Sequence, residues 1–218
     1  MFNTNKYIFV VILVLIITIL VCAFWRTPVD PDILILPDFY SPNQFNHIMN
    51  MIHKTSGELK HDERHSQRKT YMYKNSNQYF TPFSRLLHTQ SLRNTLERVQ
   101  SKSSRTNEFP IEYRRYDSSS KGMAWHQDKP IFNGVYYECV LTLDNTSDSV
   151  FEYIQNNKVQ RIKTKANTLI CVTPNSIQHR VTPCKKGKRD IIKFVATFVN
   201  NTTNQNYMDE IYTFTKGT

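Results

Sequence analysis

Cysteine is scarce in this chain: four residues of 218, at Cys22, Cys139, Cys171 and Cys184. No two have Cys-x-x-Cys spacing, which argues against a structural zinc motif and against a small disulfide scaffold. Cys139 and Cys171 fall in predicted strands and read as buried small hydrophobes. No internal repeat and no low-complexity block is present. Acidic residues are the minority, 18 against 28 Lys and Arg, giving a net charge of +10 and a pI near 9.4. Such a surface suits nucleic acid, anionic lipid or acidic proteins, though it more often serves solubility.

Charge is almost missing from the first 25 residues, where Lys6 stands alone. Tyr7 to Trp25 is a run of 19 uncharged residues. As a helix it reaches about 28 Å, close to the hydrocarbon thickness of a bilayer, and Tyr7 and Trp25 bracket it as interfacial aromatics do. This predicts a membrane anchor over residues 7–25. The alternative is a cleaved signal peptide ending near Val21-Cys22-Ala23, for which the apolar core is long. Lys6 on one side, and Arg26 followed by Asp30 and Asp32 on the other, lean towards a cytoplasmic N-terminus with the bulk lumenal or outside. Asn145, Asn200 and Asn201 each begin a glycosylation sequon, as a lumenal domain allows.

After the anchor, a Pro- and Asp-rich linker leads to a predicted short strand, Ile33–Leu36. Ser41-Pro42 reads as an N-cap followed by Pro at the first helical position. Phe45, Ile48, Met49 and Ile52 then form one apolar helical stripe, with His47 and His53 as surface or packing residues. Glu58–Lys69 reads as a solvated loop, and Tyr71, Tyr73, Tyr79 and Phe80 as strand and turn aromatics. Phe83–Gln100 is a second helical region with Leu92, Leu96 and Val99 on one face. From Phe109 the period changes to that of strands. The predicted strands are Ile111–Tyr116, Met123–Asp128, Tyr137–Leu143, Val150–Ile154, Val159–Lys163, Thr168–Val172, Gln178–Thr182 and Asp190–Val199, with a further short one at Ile211–Phe214. Eight short strands separated by turn residues suggest an antiparallel jelly-roll sandwich or barrel, with the helices buttressing one face. The fold class is mainly β with N-terminal helices (α+β). The division is a tail 1–6, anchor 7–25, linker 26–34, domain 35–200 and tail 201–218.

The chain's chemistry centres on Met123-Ala124-Trp125-His126-Gln127-Asp128. On a strand, residues two apart share a face, so His126 and Asp128 offer an imidazole and a carboxylate side by side. That is two-thirds of a 2-His-1-carboxylate triad for non-haem iron. By itself a His-x-Asp is common and usually a polar strand face. A second histidine, His179, follows in an extended context, and Arg189 comes ten residues after it. With Tyr113-Arg114-Arg115-Tyr116 before the pair, and His179-Arg180-Val181-Thr182-Pro183 and Gly187-Lys188-Arg189 after it, the sequence resembles the Fe(II)- and 2-oxoglutarate-dependent dioxygenases of the prolyl 4-hydroxylase type. The resemblance spans about Ile35 to Phe198. Where that family has a Gly-Gly-Glu-like turn, this chain has Asn145–Glu152, a departure that bears on substrate identity more than on metal binding.

The resemblance implies a double-stranded β-helix core, with Fe(II) held by His126, Asp128 and His179 and with 2-oxoglutarate, O2 and ascorbate as cosubstrates and reductant. Arg189 would pair with the distal carboxylate of 2-oxoglutarate, as its fixed fork suits a planar anion. Tyr116 and Thr142 would line the same pocket. The bland alternatives are a solvated Arg189 in the run Lys185–Arg189, and a merely structural Tyr116. Arg180 should point to the opposite face from His179, and Trp125 should pack behind the site. The expected activity is hydroxylation of a prolyl or lysyl side chain in a protein or peptide, with release of succinate and CO2. Two rivals stand beside it: a nucleic-acid or small-molecule oxygenase of the same superfamily, and a membrane-anchored binding domain without turnover. The nucleic-acid branch usually has a second arginine six residues beyond the first. That position is Val195 here, and a membrane anchor fits poorly with nucleic acid.

Overall fold

The computed structural model describes residues 32–62 and 68–207. The predicted anchor at 7–25 and the strand at 211–214 lie outside them. Among the described residues no helix is long and apolar enough to cross a membrane.

The chain opens with β1 (Ile33–Leu36) and α1 (Pro42–Thr55). Ser41 caps α1 as the sequence indicates: its side chain accepts from the Gln44 amide while Gln44 reaches back to the Ser41 amide, so two orphan donors are satisfied at once. The segment read as a solvated loop contributes a hairpin instead, β2 (Lys60–Asp62) and β3 (Arg68–Tyr73). Its charged composition hid it, because β2 lies at the edge of a sheet, where charged residues are the norm. The second helical region is two helices, α2 (Phe80–Leu87) and α3 (Gln90–Gln100), broken where Thr89 caps α3 by accepting from the Leu92 amide. The remaining strands are β4 (Ser104–Arg105), β5 (Ile111–Tyr116), β6 (Met123–His126), β7 (Phe132–Asn133), β8 (Tyr137–Asn145), β9 (Phe151–Gln155), β10 (Lys158–Ile162), β11 (Leu169–Val172), β12 (His179–Val181), β13 (Arg189–Phe198) and β14 (Thr202–Thr203).

Two antiparallel sheets carry the architecture. The major sheet runs β1-β11-β8-β13-β5-β3-β2 with β4 against β13, and the minor sheet runs β10-β9-β12-β6. Strands adjacent in sequence mostly sit in different sheets or apart within one, as a jelly roll requires. The helices cover one face of the major sheet. Ile48, Ile52, Phe83, Leu87, Leu92 and Leu96 pack there against Tyr113, Leu141, Ile192 and Phe194, each large side chain contributing about 1.5–3 kcal/mol of burial. A smaller cluster, including Phe151, Tyr153, Ile170 and Val172, fills the space between the sheets. The metal-ligand candidates and Arg189 open onto this inner space.

Candidate active site

His126 ends β6 and His179 begins β12, and the two are register partners across the minor sheet. Their rings are 4.4 Å apart between centroids. The strand predicted to reach Asp128 stops at His126, so Asp128 takes its position from a loop rather than from strand alternation. Its carbonyl accepts from the Asn175 amide at 2.9 Å, and Gln127 Nε2 donates to Ser176 O at 3.2 Å, which pins the loop to the chain entering β12. The outcome is the one the spacing suggested. Asp128 Oδ2 lies 3.4 Å from His179 Nε2, and Oδ1 lies 3.8 Å from His126 Nε2. One potential ligand atom from each of the three residues falls within 4.8 Å of the others.

Each imidazole is oriented by the backbone carbonyl two residues before it. Nδ1 of His126 lies 2.9 Å from Ala124 O, and Nδ1 of His179 lies 3.2 Å from Ile177 O. Both acceptors are carbonyls, so each ring donates from Nδ1 and turns Nε2 towards Asp128. Burial holds the His179 pKa below the ordinary value, with His126 adding to the effect against Asp128. For Asp128, burial alone would raise the carboxyl. Lys193, His179, His126 and Arg114 outweigh it, and the group is held below the usual range. Two imidazoles and one carboxylate turned to a common point are the donor set a divalent first-row metal takes. Gly122 closes the strands against each other: its φ is +71°, and a Cβ there would collide with the backbone of Val181 and Pro183.

Across the cavity stands the inner face of the major sheet. Arg189 is 3% exposed and lines the cavity with Tyr116, its register partner on β5. Its Nε has no hydrogen-bond partner among the described residues. Burial lowers its pKa, opposed only by Tyr116 and Cys184, neither of which is a carboxylate. A buried guanidinium without an anion is costly, and it marks a place for one. The neighbouring Lys188 is exposed and paired with Asp144 and Asp190 at 3.4 and 3.5 Å, so of the basic run it is Arg189 that turns inward. Gly187 sets this entry, at φ +71° against Thr146 and Ser147, whose amides donate to Lys188 O. The Asn145–Glu152 stretch therefore seats the start of β13. Tyr116 is 4% exposed. Burial raises its hydroxyl, but Arg114, Arg68 and Arg189 together pull it below the ordinary tyrosine value. Thr142 is fully buried, and its Oγ1 has no partner among the described residues.

Further cavity residues were not foreseen. Arg114, Glu138 and Lys193 line the cavity. Glu138 Oε2 lies 2.5 Å from Lys193 Nζ, and Arg114 Nη2 lies 2.6 Å from Glu112 Oε2. Burial, helped by Asp128 and opposed by Lys193, pushes Glu138 up to about 7. Alternation gives only the face: Arg114 is in phase with Tyr116, Glu138 with Thr142 and Lys193 with Arg189. Arg180 and Trp125 point the other way, as expected. Arg180 lies over the Trp125 ring, 4.7 Å from its centroid, and bonds Glu152 at 2.5 Å on the outer side of the minor sheet.

No protein-family model matches the chain, and no curated protein does. Solved structures do. An oxidoreductase of the 2OG-Fe(II) oxygenase family from Burkholderia pseudomallei superposes with a TM-score of 0.61 at 12% identity, over 79% of this chain and 87% of that one. HygX from Streptomyces hygroscopicus, with nickel, 2-oxoglutarate and hygromycin B bound, gives 0.57 at 10% identity, over 78% and 84%. A prolyl hydroxylase from Trichoplax adhaerens, in complex with a hypoxia inducible factor peptide fragment, gives 0.53 at 14% identity, over 77% and 84%. The chain thus has the jelly-roll fold of the 2-oxoglutarate- and iron-dependent oxygenases, prolyl hydroxylases among them.

Proposed function

We propose that the protein is an Fe(II)- and 2-oxoglutarate-dependent dioxygenase that hydroxylates a prolyl or lysyl side chain of a protein, releasing succinate and CO2. One observation carries the reading: the Nε2 atoms of His126 and His179 and the Asp128 carboxylate face one another in the cavity that Arg189, its buried Nε without a partner among the described residues, also lines. His126, Asp128 and His179 would hold the metal. Arg189, with the hydroxyl of Tyr116, would receive the distal carboxylate of 2-oxoglutarate; Thr142 is fully buried and is not among the residues that line the cavity. Bound Fe(II), with 2-oxoglutarate and O2, supplies the oxidising chemistry that no side chain has, and ascorbate keeps the metal reduced. The protein's share is to turn two lone pairs and one carboxylate to a single point, to anchor the cosubstrate at fixed reach, and to line the rest of the cavity with Met123, Phe151, Val181 and Ile191, which exclude water.

A peptide substrate is supported by the peptide-bound prolyl hydroxylase among the similar structures. The antibiotic-bound HygX favours a second reading, a small-molecule oxygenase. The apolar run at residues 7–25 supports a membrane anchor, with the domain on the lumenal side. The test is succinate release by the full chain given Fe(II), ascorbate, 2-oxoglutarate and Pro- or Lys-containing peptides, with mass spectrometry for an added oxygen. Asp128→Ala should abolish metal binding and lower turnover by more than about 100-fold, since even groups behind the ligands commonly matter by 10–100-fold. Full activity in that variant sinks the oxygenase reading. Succinate without a modified peptide, beside an oxygenated small molecule, sinks the protein-substrate part alone.

A further inference from the structure

Cys139 on β8 and Cys171 on β11 are direct partners across the antiparallel ladder. Their Sγ atoms are 3.4 Å apart, and both residues are 0% exposed, on the helix-facing side of the major sheet. The phase of the ladder can be read from its end. The Thr142 amide donates to Thr168 O at 2.9 Å, so Thr142 occupies a hydrogen-bonded site. Cys139, an odd number of residues before it, falls at a non-hydrogen-bonded one. At such sites opposed Cα atoms lie about 4.5 Å apart, inside the range of about 4.4–6.8 Å that a disulfide spans. The adjoining pair on the same face, Leu141 with Leu169, shows what packing alone asks for there.

We propose that Cys139 and Cys171 are a modification site: they close into a cross-strand disulfide when the chain folds in an oxidising environment. A small-molecule disulfide such as oxidised glutathione is the oxidant. One cysteine thiolate attacks it and releases one thiol as a mixed disulfide forms. The second cysteine then attacks that bond, releasing the second thiol and leaving the Cys139–Cys171 bond. Two thiols are oxidised by two electrons, and one disulfide is reduced to two thiols. Burial keeps the Cys139 thiol protonated in the finished fold, so the exchange belongs to folding, before the helices cover the pair. The bond would join residues 32 apart in sequence and clamp β8 to β11, whose other faces present Glu138, Val140, Ile170 and Val172 to the cavity. It needs no turnover and stands apart from the oxygenase reading.

The full chain, in detergent, is refolded from denaturant in a glutathione buffer poised near about −180 mV, as in an oxidising lumen, and in parallel with dithiothreitol. Each sample is denatured, alkylated with N-ethylmaleimide, digested and mapped by mass spectrometry. The expected result from the glutathione sample is a linked Cys139–Cys171 peptide pair with Cys184 alkylated. Its melting midpoint should lie higher than that of the reduced sample by on the order of 10 °C. That difference should vanish in Cys139→Ala and in Cys171→Ala. Complete alkylation of both cysteines in a cooperatively melting glutathione sample overturns the proposal, and so does a bond from either of them to Cys22 or Cys184.

Discussion

On β13, Ile192, Phe194, Ala196 and Phe198 face the helices, while Arg189, Ile191 and Lys193, interleaved with them, face the cavity. The same split runs along β8, with Tyr137, Cys139 and Leu141 on one side and Glu138 and Val140 on the other. On β5, Tyr113 packs outward while Arg114 and Tyr116 face in. Both faces are nearly dry, yet one is built of hydrocarbon and the other of charges. Burying apolar surface stabilises, whereas burying a charge costs unless it is paired, and often even then. The outer face therefore carries the stability of the sheet. The inner face is held against its own energetics, which is expected where a site rather than a core is being built. If this division is right, substitutions on the two faces should separate stability from activity.

The largest effect is expected outside. Phe194 is 1% exposed beneath the helices, and Phe194→Ala should cost about 3–5 kcal/mol in a denaturant melt, the range for an aromatic removed from a packed core. Activity per folded molecule should stay near that of the parent. A variant of unchanged stability would mean that the helices do not seal this face.

Inside, the expected signs differ. Lys193→Met alone leaves Glu138 buried without its cation, and should cost about 3 kcal/mol or more. Adding Glu138→Leu should restore the loss or exceed it, because a buried ion pair is often no better than hydrocarbon of the same volume. A double variant weaker than the single one would show that the pair is a stabilising feature after all. Arg189→Ala sharpens the point further. It removes a buried cation with no carboxylate beside it, so the melt should move up or stay in place, while the 2-oxoglutarate needed for half-maximal turnover should rise by about 10–100-fold, the worth of charge-assisted hydrogen bonds. Lys188→Ala, exposed and paired at the surface, should change neither. Equal effects from both would assign the anchor to the wrong residue.

Acid should expose the same inner face. The Glu112 carboxyl is fully buried. Desolvation would raise it, but Arg114, Arg68 and Lys193 hold it below its ordinary value of 4.5. A carboxylate held lower in the folded state contributes stability that is present above the unfolded pKa and is lost as pH falls through the folded one. Below about pH 4.5 the thermal melts should drop as the Glu112 contribution is lost, with a smaller drop in Glu112→Gln. Glu138, raised to about 7, titrates above that window, and both it and His179, which is lowered, are common to the two proteins. Equal acid sensitivity in the two proteins would remove Glu112 from the account.

The outer face was legible in the sequence because apolar periodicity is a strong signal: the α1 stripe of Ile48 and Ile52, the Ser41 cap and the run in β13 all appear where the pattern puts them. The grouping of His126, Asp128 and His179 was legible, since the three side chains come together, although Asp128 arrives by a pinned loop. Strand β2 was not legible, because an edge strand need not look apolar, whereas Tyr71 and Tyr73 on its partner β3 were read as strand and turn aromatics. Nor were Glu138 and Lys193, because alternation tells which face a residue takes but not which distant strand supplies its partner. The direct pairing of Cys139 with Cys171 is the same kind of fact: register between strands is a tertiary property, set by packing of the whole sheet.

The smallest effect belongs to the outer side of the minor sheet, where Glu152 is held by two arginines. Arg161 Nε lies 2.9 Å from Oε1, and its side chain is 67% exposed. Arg180 bonds Oε2 from a side chain 39% exposed and also covers Trp125. Glu152 itself is buried and keeps Arg180 when Arg161 is removed, and the exposed Arg161 pays side-chain entropy to pair, so Arg161→Ala should cost under about 1 kcal/mol. Arg180→Ala also forfeits the ring contact, itself about 0.5–1 kcal/mol at such a site, and should cost somewhat more. Neither side chain lines the cavity, so metal binding and succinate release should be unchanged in both. Because Arg180 adjoins His179 in sequence and differs from it only in the face it takes, loss of metal binding in Arg180→Ala would show that the two faces of β12 are not independent, and the separation drawn for the major sheet could not be extended to the minor one.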